Sequence, residues 1–397
     1  MKKAARIIVI LLFPVAALLG LAFGRYSELS PFGPPYLWCF LAMLVWSIHL
    51  QRARVLVWNS AFLFLALAFA EFLLNPDTGI NRMKGVLPDY PPDYHSDETP
   101  LGYGGPRLER SVVVTRGTGD SLMYRARYST DRNGLRVTAK EFDSTRPPTY
   151  FFGGSFTFGE GVNDEQSLPW VYSELTGRPC VNFGFHGYGP HQMLRALELD
   201  LPAEYGYEKP DTVVCLMITA HLRRVVGNTN FGQSGPKYLL TDGIPQYVGA
   251  FADYSSPRSL KSILRKSHVL QTVIPEQLAE WPLQQQADML LAILERANAI
   301  TMERYGVPLT CIGLWGNKAW KSTTGGKGKG DGQALLQVLE SYSGPAIVLP
   351  KLVPEFGTDE HFIPGDGHPN AAGIRVLAEG LQRRIGQSGD VSMVGSE

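Results

Sequence analysis

The chain has 397 residues, with 37 Lys+Arg against 37 Asp+Glu, a length that sets a soft expectation of about two to three domains. At 44% hydrophobic and 19% charged it is neither a disordered chain nor a charged fibrous repeat. Zero net charge argues against a basic nucleic-acid module. That neutrality is a cancellation: residues 1–74 hold six basic groups and two acidic ones, which leaves 31 basic and 35 acidic groups for the rest.

The basic head reads as a membrane anchor of three spans. Residues 7–24 form an uncharged run of 18 residues, long enough at helical rise to come close to crossing a hydrocarbon core of about 30 Å. A shorter span is expected at 36–50, after Pro31, Pro34 and Pro35, and a third at 55–74, where Glu71 near one end can reach the interface. Lys2, Lys3 and Arg6 before the first span, with Arg52 and Arg54 between the second and third, place those segments in the cytoplasm, so the chain after about residue 75 is expected outside it. A cleaved signal peptide is the competing reading, but no clear A-x-A site follows the first run and further apolar spans do. Cys39 falls in a span, and Cys180, Cys215 and Cys311 fall in apolar strand-like runs, so buried free thiols are expected rather than a disulfide framework.

Residues 75–147 are rich in Pro, Gly and Tyr and read as a linker leading into a β-rich preface, with short alternating strands at 111–115 and 122–128. From 148 to 386 apolar strands alternate with amphipathic helices: strands at 149–152, 180–183, 212–219, 309–314 and 346–349, helices at 168–175, 191–199, 283–305, 333–341 and 371–385. The pattern predicts an α/β domain built on a doubly wound, five-stranded parallel sheet, with ligands at the carboxyl ends of its strands. Two stretches, 227–271 and 318–332, break the rhythm; the first could cover a substrate site and the second reads as a mobile surface loop. Residues 387–397 read as a disordered tail.

The first strand of this domain ends in Gly153-Gly154-Ser155, where a hydroxyl between small residues is exposed and backed by backbone N–H groups, as a nucleophile requires. Read by itself, that Ser could equally be a helix cap. Near the C-terminus Asp366-Gly367-His368 precedes an amphipathic helix, so a loop can let the carboxylate orient the imidazole and the imidazole take the Ser155 proton. A Ser early with Asp and His together late is the decisive combination. No metal or cofactor is called for.

With those residues in view, the chain resembles the SGNH, or GDSL-like, hydrolase superfamily. Gly153-Gly154-Ser155-Phe156-Thr157-Phe158-Gly159 is similar to its first block, with Gly154 where Asp is usual. Asn182-Phe183-Gly184 is similar to the second block, which implies that Gly184 lends a backbone N–H to the oxyanion hole beside that of Ser155. Asp366 and His368 match the fifth block, although its spacing is D-x-x-H and this chain has D-x-H; that shift keeps Asp359 and His361 as weaker alternatives. The third block's G-x-N-D is absent, and His221 stands near the position of its Asn as a substitute donor or as a packing residue.

The resemblance implies a serine esterase that removes an acyl group, acetyl above all, from an extracytoplasmic glycan or lipid. One alternative is an O-acyltransferase acting on a surface polysaccharide, which would need a membrane protein as acyl donor; another is a non-catalytic glycan-binding or assembly protein on the same scaffold.

Overall fold

The computed structural model describes residues 88–385, less 98, 119–120, 140–144, 230–231, 255–280 and 316–329, together with the lone position 66. The expected spans at 7–24, 36–50 and 55–74 lie outside the described residues save for that position, as do Cys39 and the tail at 387–397. No helix among the described residues is long and apolar enough to cross a membrane.

The preface is a β-hairpin. Strand β1 (Arg110–Thr118) pairs antiparallel with β2 (Ser121–Thr130), with a register shift at Arg116/Gly117. After it come β3 (Thr149–Gly153), the one-turn helix α1 (Ser155–Phe158), α2 (Leu168–Thr176), β4 (Cys180–Asn182), α3 (Pro190–Glu198), α4 (Leu201–Glu204), β5 (Thr212–Met217) and α5 (Ala220–Arg224). A second hairpin, β6 (Pro236–Thr241) and β7 (Ile244–Ala250), leads to α6 (Phe251–Tyr254). The chain closes with α7 (Leu283–Tyr305), β8 (Leu309–Gly313), α8 (Asp331–Ser341), β9 (Ala346–Val348), α9 (Leu349–Leu352) and α10 (Ala371–Ile385).

The main sheet has five strands in the order β4-β3-β5-β8-β9, all parallel. The chain thus starts inside the sheet, steps to one edge and returns, which makes it doubly wound with a switch point at β3/β5. Its strands read as near-continuous apolar runs because their residues are buried on both faces. On one face Tyr150, Phe152, Val213, Cys215 and Met217 pack with α3, α7 and α8. On the other, Phe151, Val214, Leu216 and Ile312 pack with α2 and α10. Consecutive residues thus serve opposite cores, as the two-residue strand period demands. Cys180, Cys215 and Cys311 are free and buried in these layers.

The preface does not stand apart from the α/β layer. Val114, Tyr124, Ala126 and Tyr128 of the hairpin join the same apolar core as β3 and β5, and the hairpin and the main sheet belong to one compact unit. Arg136 fastens the two: its side chain is fully buried, donates to the carbonyls of Phe158, Gly159, Val162 and Arg127, and pairs with Asp164 at 3.2 Å.

Candidate active site

Ser155 opens α1 at the carboxyl end of β3, so its backbone N–H has no acceptor within the helix. The approach is tight at Gly154. A Cβ there would lie 2.8 Å from Arg224 Nη1, 2.8 Å from the Tyr188 carbonyl oxygen and 3.4 Å from His221 Nε2. A side chain at this position therefore has no room beside the Tyr188 carbonyl and the Arg224 guanidinium, which donates to that carbonyl at 2.7 Å.

Ser155 Oγ donates to His368 Nε2 at 2.8 Å, and His368 Nδ1 donates to Asp366 Oδ1. The D-x-H spacing works because Gly367, at φ +90°, takes the left-handed conformation that side-chain-bearing residues avoid. The turn brings both side chains to one side, and Asp366 Oδ1 also accepts the His368 backbone N–H at 3.0 Å. Ile363 N–H closes the loop on the His368 carbonyl at 2.8 Å. Phe156 packs on the imidazole with ring centroids 5.1 Å apart. Asp359 and His361 take no part: His361 stacks on Phe356 and bonds Thr358 Oγ1 at 3.2 Å.

Two groups that no motif signalled complete this network. Arg116 of β1 donates to Asp366 Oδ2, so the carboxylate, whose side chain is fully buried, is held from both sides. Burial alone would raise the Asp366 carboxyl; the His368 hydrogen bonds and charge, aided by Arg116, outweigh it and hold the group below its ordinary range. The second group is Glu160, whose Oε2 lies 3.6 Å from His368 Nε2 and accepts from His186 Nδ1 at 2.9 Å. Tyr124 OH reaches Glu160 Oε1 at 3.4 Å, and Tyr94 OH donates to His186 Nε2 at 2.8 Å. Burial opposes ionisation of Glu160, but the His186 hydrogen bond and the cationic surroundings hold its carboxyl below its usual range. Burial pushes His186 down, so at neutral pH the couple is a carboxylate and a neutral imidazole that donates from Nδ1.

The oxyanion hole needs one correction. Gly184 is not a donor to it, because its N–H is spent on Asn182 Oδ1 at 3.0 Å. Its glycine serves packing, since a Cβ would fall 2.7 Å from Thr157 Cβ and 2.8 Å from the Phe158 nitrogen. His221, by contrast, is brought against Gly154. It is buried, and among the described residues neither ring nitrogen has a hydrogen-bond partner; the Tyr188 carbonyl faces it without completing one. Burial and then Arg224 push its pKa well below the ordinary value, so it is a neutral imidazole carrying one ring N–H, packed against Gly154. A cavity of about 50 Å³ is lined by Gly153, Tyr188, Gly189 and Gln192 together with Gly104 of the preface, and neither Ser155 nor His368 lines it. Among the described residues no three or more His, Cys, Asp or Glu side chains are grouped so as to hold a metal ion.

Neither the models of known protein families nor the sequences of curated proteins match this chain. Among solved structures it is similar to a member of the lipolytic protein G-D-S-L family from Veillonella parvula, at 13% identity and TM-score 0.34, over 60% of this chain and 98% of that one. An SGNH-hydrolase family esterase, AlinE4, gives 15% identity and TM-score 0.30 over 61% and 96% of the two chains. A carbohydrate esterase family 2 enzyme with a carbohydrate-binding domain, from Corynascus thermopiles, gives 13% and 0.33 over 67% and 72%.

Proposed function

We propose that this protein is a serine esterase of SGNH type. The observation that carries the reading is the unbroken relay from Ser155 Oγ through His368 to Asp366 at the carboxyl end of a central parallel strand. In the reaction Ser155 Oγ attacks the ester carbonyl while His368 Nε2 takes its proton; Asp366 keeps Nδ1 protonated and stabilises the imidazolium. The oxyanion meets the Ser155 N–H and the His221 N–H. His368 returns the proton to the leaving alcohol, and water then releases the acyl group from Ser155 by the same steps reversed.

The substrate reading is a small acyl ester on a surface glycan or lipid. Its support is the run of apolar segments and basic residues in 1–74, which would tether the domain at the outer face of a membrane. Acetate release from acetylated polysaccharides by the full-length protein, set against Ser155→Ala, tests both parts. Release by the parent alone supports the esterase; release by both variants at one rate rules out Ser155; acyl transfer to an added glycan without free acetate would identify a transferase.

A further inference from the structure

Glu160 is a buried, ionised carboxylate that the first half of this reaction does not use. Burying such a group is costly unless its neighbours compensate, and here a Tyr94–His186–Glu160 chain is built to do so. Its Oε2 lies 3.6 Å from His368 Nε2, the same nitrogen that accepts from Ser155 Oγ at 2.8 Å. Oε2 accepts one hydrogen bond, from His186, and a carboxylate oxygen has a second lone pair to offer.

Once Ser155 is acylated its Oγ–H is gone, and Nε2 must meet the proton of an incoming nucleophile in the same crevice. A water there has two protons: one for Nε2 and one that needs an acceptor beside it. We propose that Glu160 is the acceptor that positions the deacylating water, and so commits the acyl-enzyme to hydrolysis. The water oxygen bonds to the acyl carbon as one of its protons passes to His368 Nε2. The other stays on that oxygen, hydrogen-bonded to Glu160 Oε2. When the tetrahedral species collapses, the carbon–Oγ bond breaks and Oγ recovers the proton from Nε2, releasing the carboxylic acid; Glu160 keeps its charge throughout.

This inference rests on the acyl-Ser155 reading, and the two fail differently. Rapid mixing of the full-length protein with p-nitrophenyl acetate separates acylation, seen as a burst of nitrophenol, from deacylation, seen as the steady rate. Glu160→Gln keeps the size of the side chain and removes its charge. Its burst is expected to match the parent in rate and amplitude while the steady rate falls about 100-fold, the scale set by misplacing a reactant. Mass spectrometry of the quenched variant is then expected to find Ser155 acylated, and Glu160→Asp to recover part of the steady rate. Equal losses in burst and steady rate would overturn the assignment, leaving Glu160 as a prop for His368; so would an unchanged steady rate. Absence of a burst together with no acyl group on Ser155 in the quenched parent or variant would instead remove the acyl-enzyme on which both depend.

Discussion

Replacing Arg116 with Met tests whether the preface hairpin belongs to the catalytic apparatus. The guanidinium is one-fifth exposed and the Asp366 side chain is fully buried, so removal strands Oδ2 without a partner or water. Loss of a buried ion pair's partner costs about 3–5 kcal/mol. Asp366 keeps its two bonds from His368, however, and Arg116 retains some solvent, so the value of one charged hydrogen bond, about 1.5–3 kcal/mol, is the better figure.

Two effects on the reaction oppose each other. Removing a cation strengthens the field of Asp366 at the imidazolium, but it also frees a carboxylate carried on a loop between Gly365 and Gly367. Orientation wins, because a stranded buried oxygen drives rotation or protonation of the carboxyl. If all of the loss reaches the transition state, turnover falls about 10- to 100-fold, at about 1.4 kcal/mol per tenfold.

The assay is ester hydrolysis, with kcat and KM resolved, beside urea unfolding as a function of pH. The folded Asp366 carboxyl is held low, so its stabilisation is present above the unfolded value of about 3.9 and is lost as pH falls through the folded value. Arg116→Met raises the folded value, so the acid-dependent part of the stability shrinks and the remainder is lost at higher pH. Arg116→Lys, which keeps the charge without the fork, is expected in between. An unchanged kcat together with an unchanged pH dependence would refute the role given to Arg116.

His221→Ala is expected to lower kcat about 100- to 1,000-fold with little change in KM, the usual cost of one oxyanion donor, and His221→Asn to restore much of it; a loss of only a few-fold would make His221 a packing residue. Arg136→Met should destabilise the fold by about 3–5 kcal/mol, because Asp164 and several buried carbonyls lose their partner; an unfolding midpoint equal to the parent's would contradict that. Gly154→Ala must displace Arg224 or the Tyr188 carbonyl and is expected to cost about 1–3 kcal/mol, read by thermal melting. An unchanged melting temperature would show that the guanidinium is not fixed there.

The five strands of the main sheet were legible because each is an apolar run buried on both faces, a pattern that local sequence carries intact. Ser155, Asp366 and His368 were legible because a nucleophile at a strand end and an Asp-Gly-His turn are local features, although only the fold shows that they meet. The hairpin Pro236–Thr241 with Ile244–Ala250 lay inside a stretch read as irregular, yet its signal was present: Asp242-Gly243 joins the strands with both residues at positive φ, the two-residue turn that Asp-Gly favours. Arg116 and Glu160 were illegible for a different reason. Each is one polar residue whose meaning lies in a partner far along the chain, Arg116 in Asp366 and Glu160 in His368. Gly184 was misassigned because a second-block glycine can lend its N–H to a substrate or to its own loop, and Asn182 takes it here.

The central claim is that Ser155 is a nucleophile activated by His368. The most direct measurement is covalent labelling of the full-length protein with a fluorophosphonate, followed by peptide mapping. The expected result is stoichiometric label on the peptide bearing Ser155, none on that peptide in Ser155→Ala, and strongly slowed labelling in His368→Ala. Absence of label on the parent, or label on another residue with Ser155 untouched, would contradict the account.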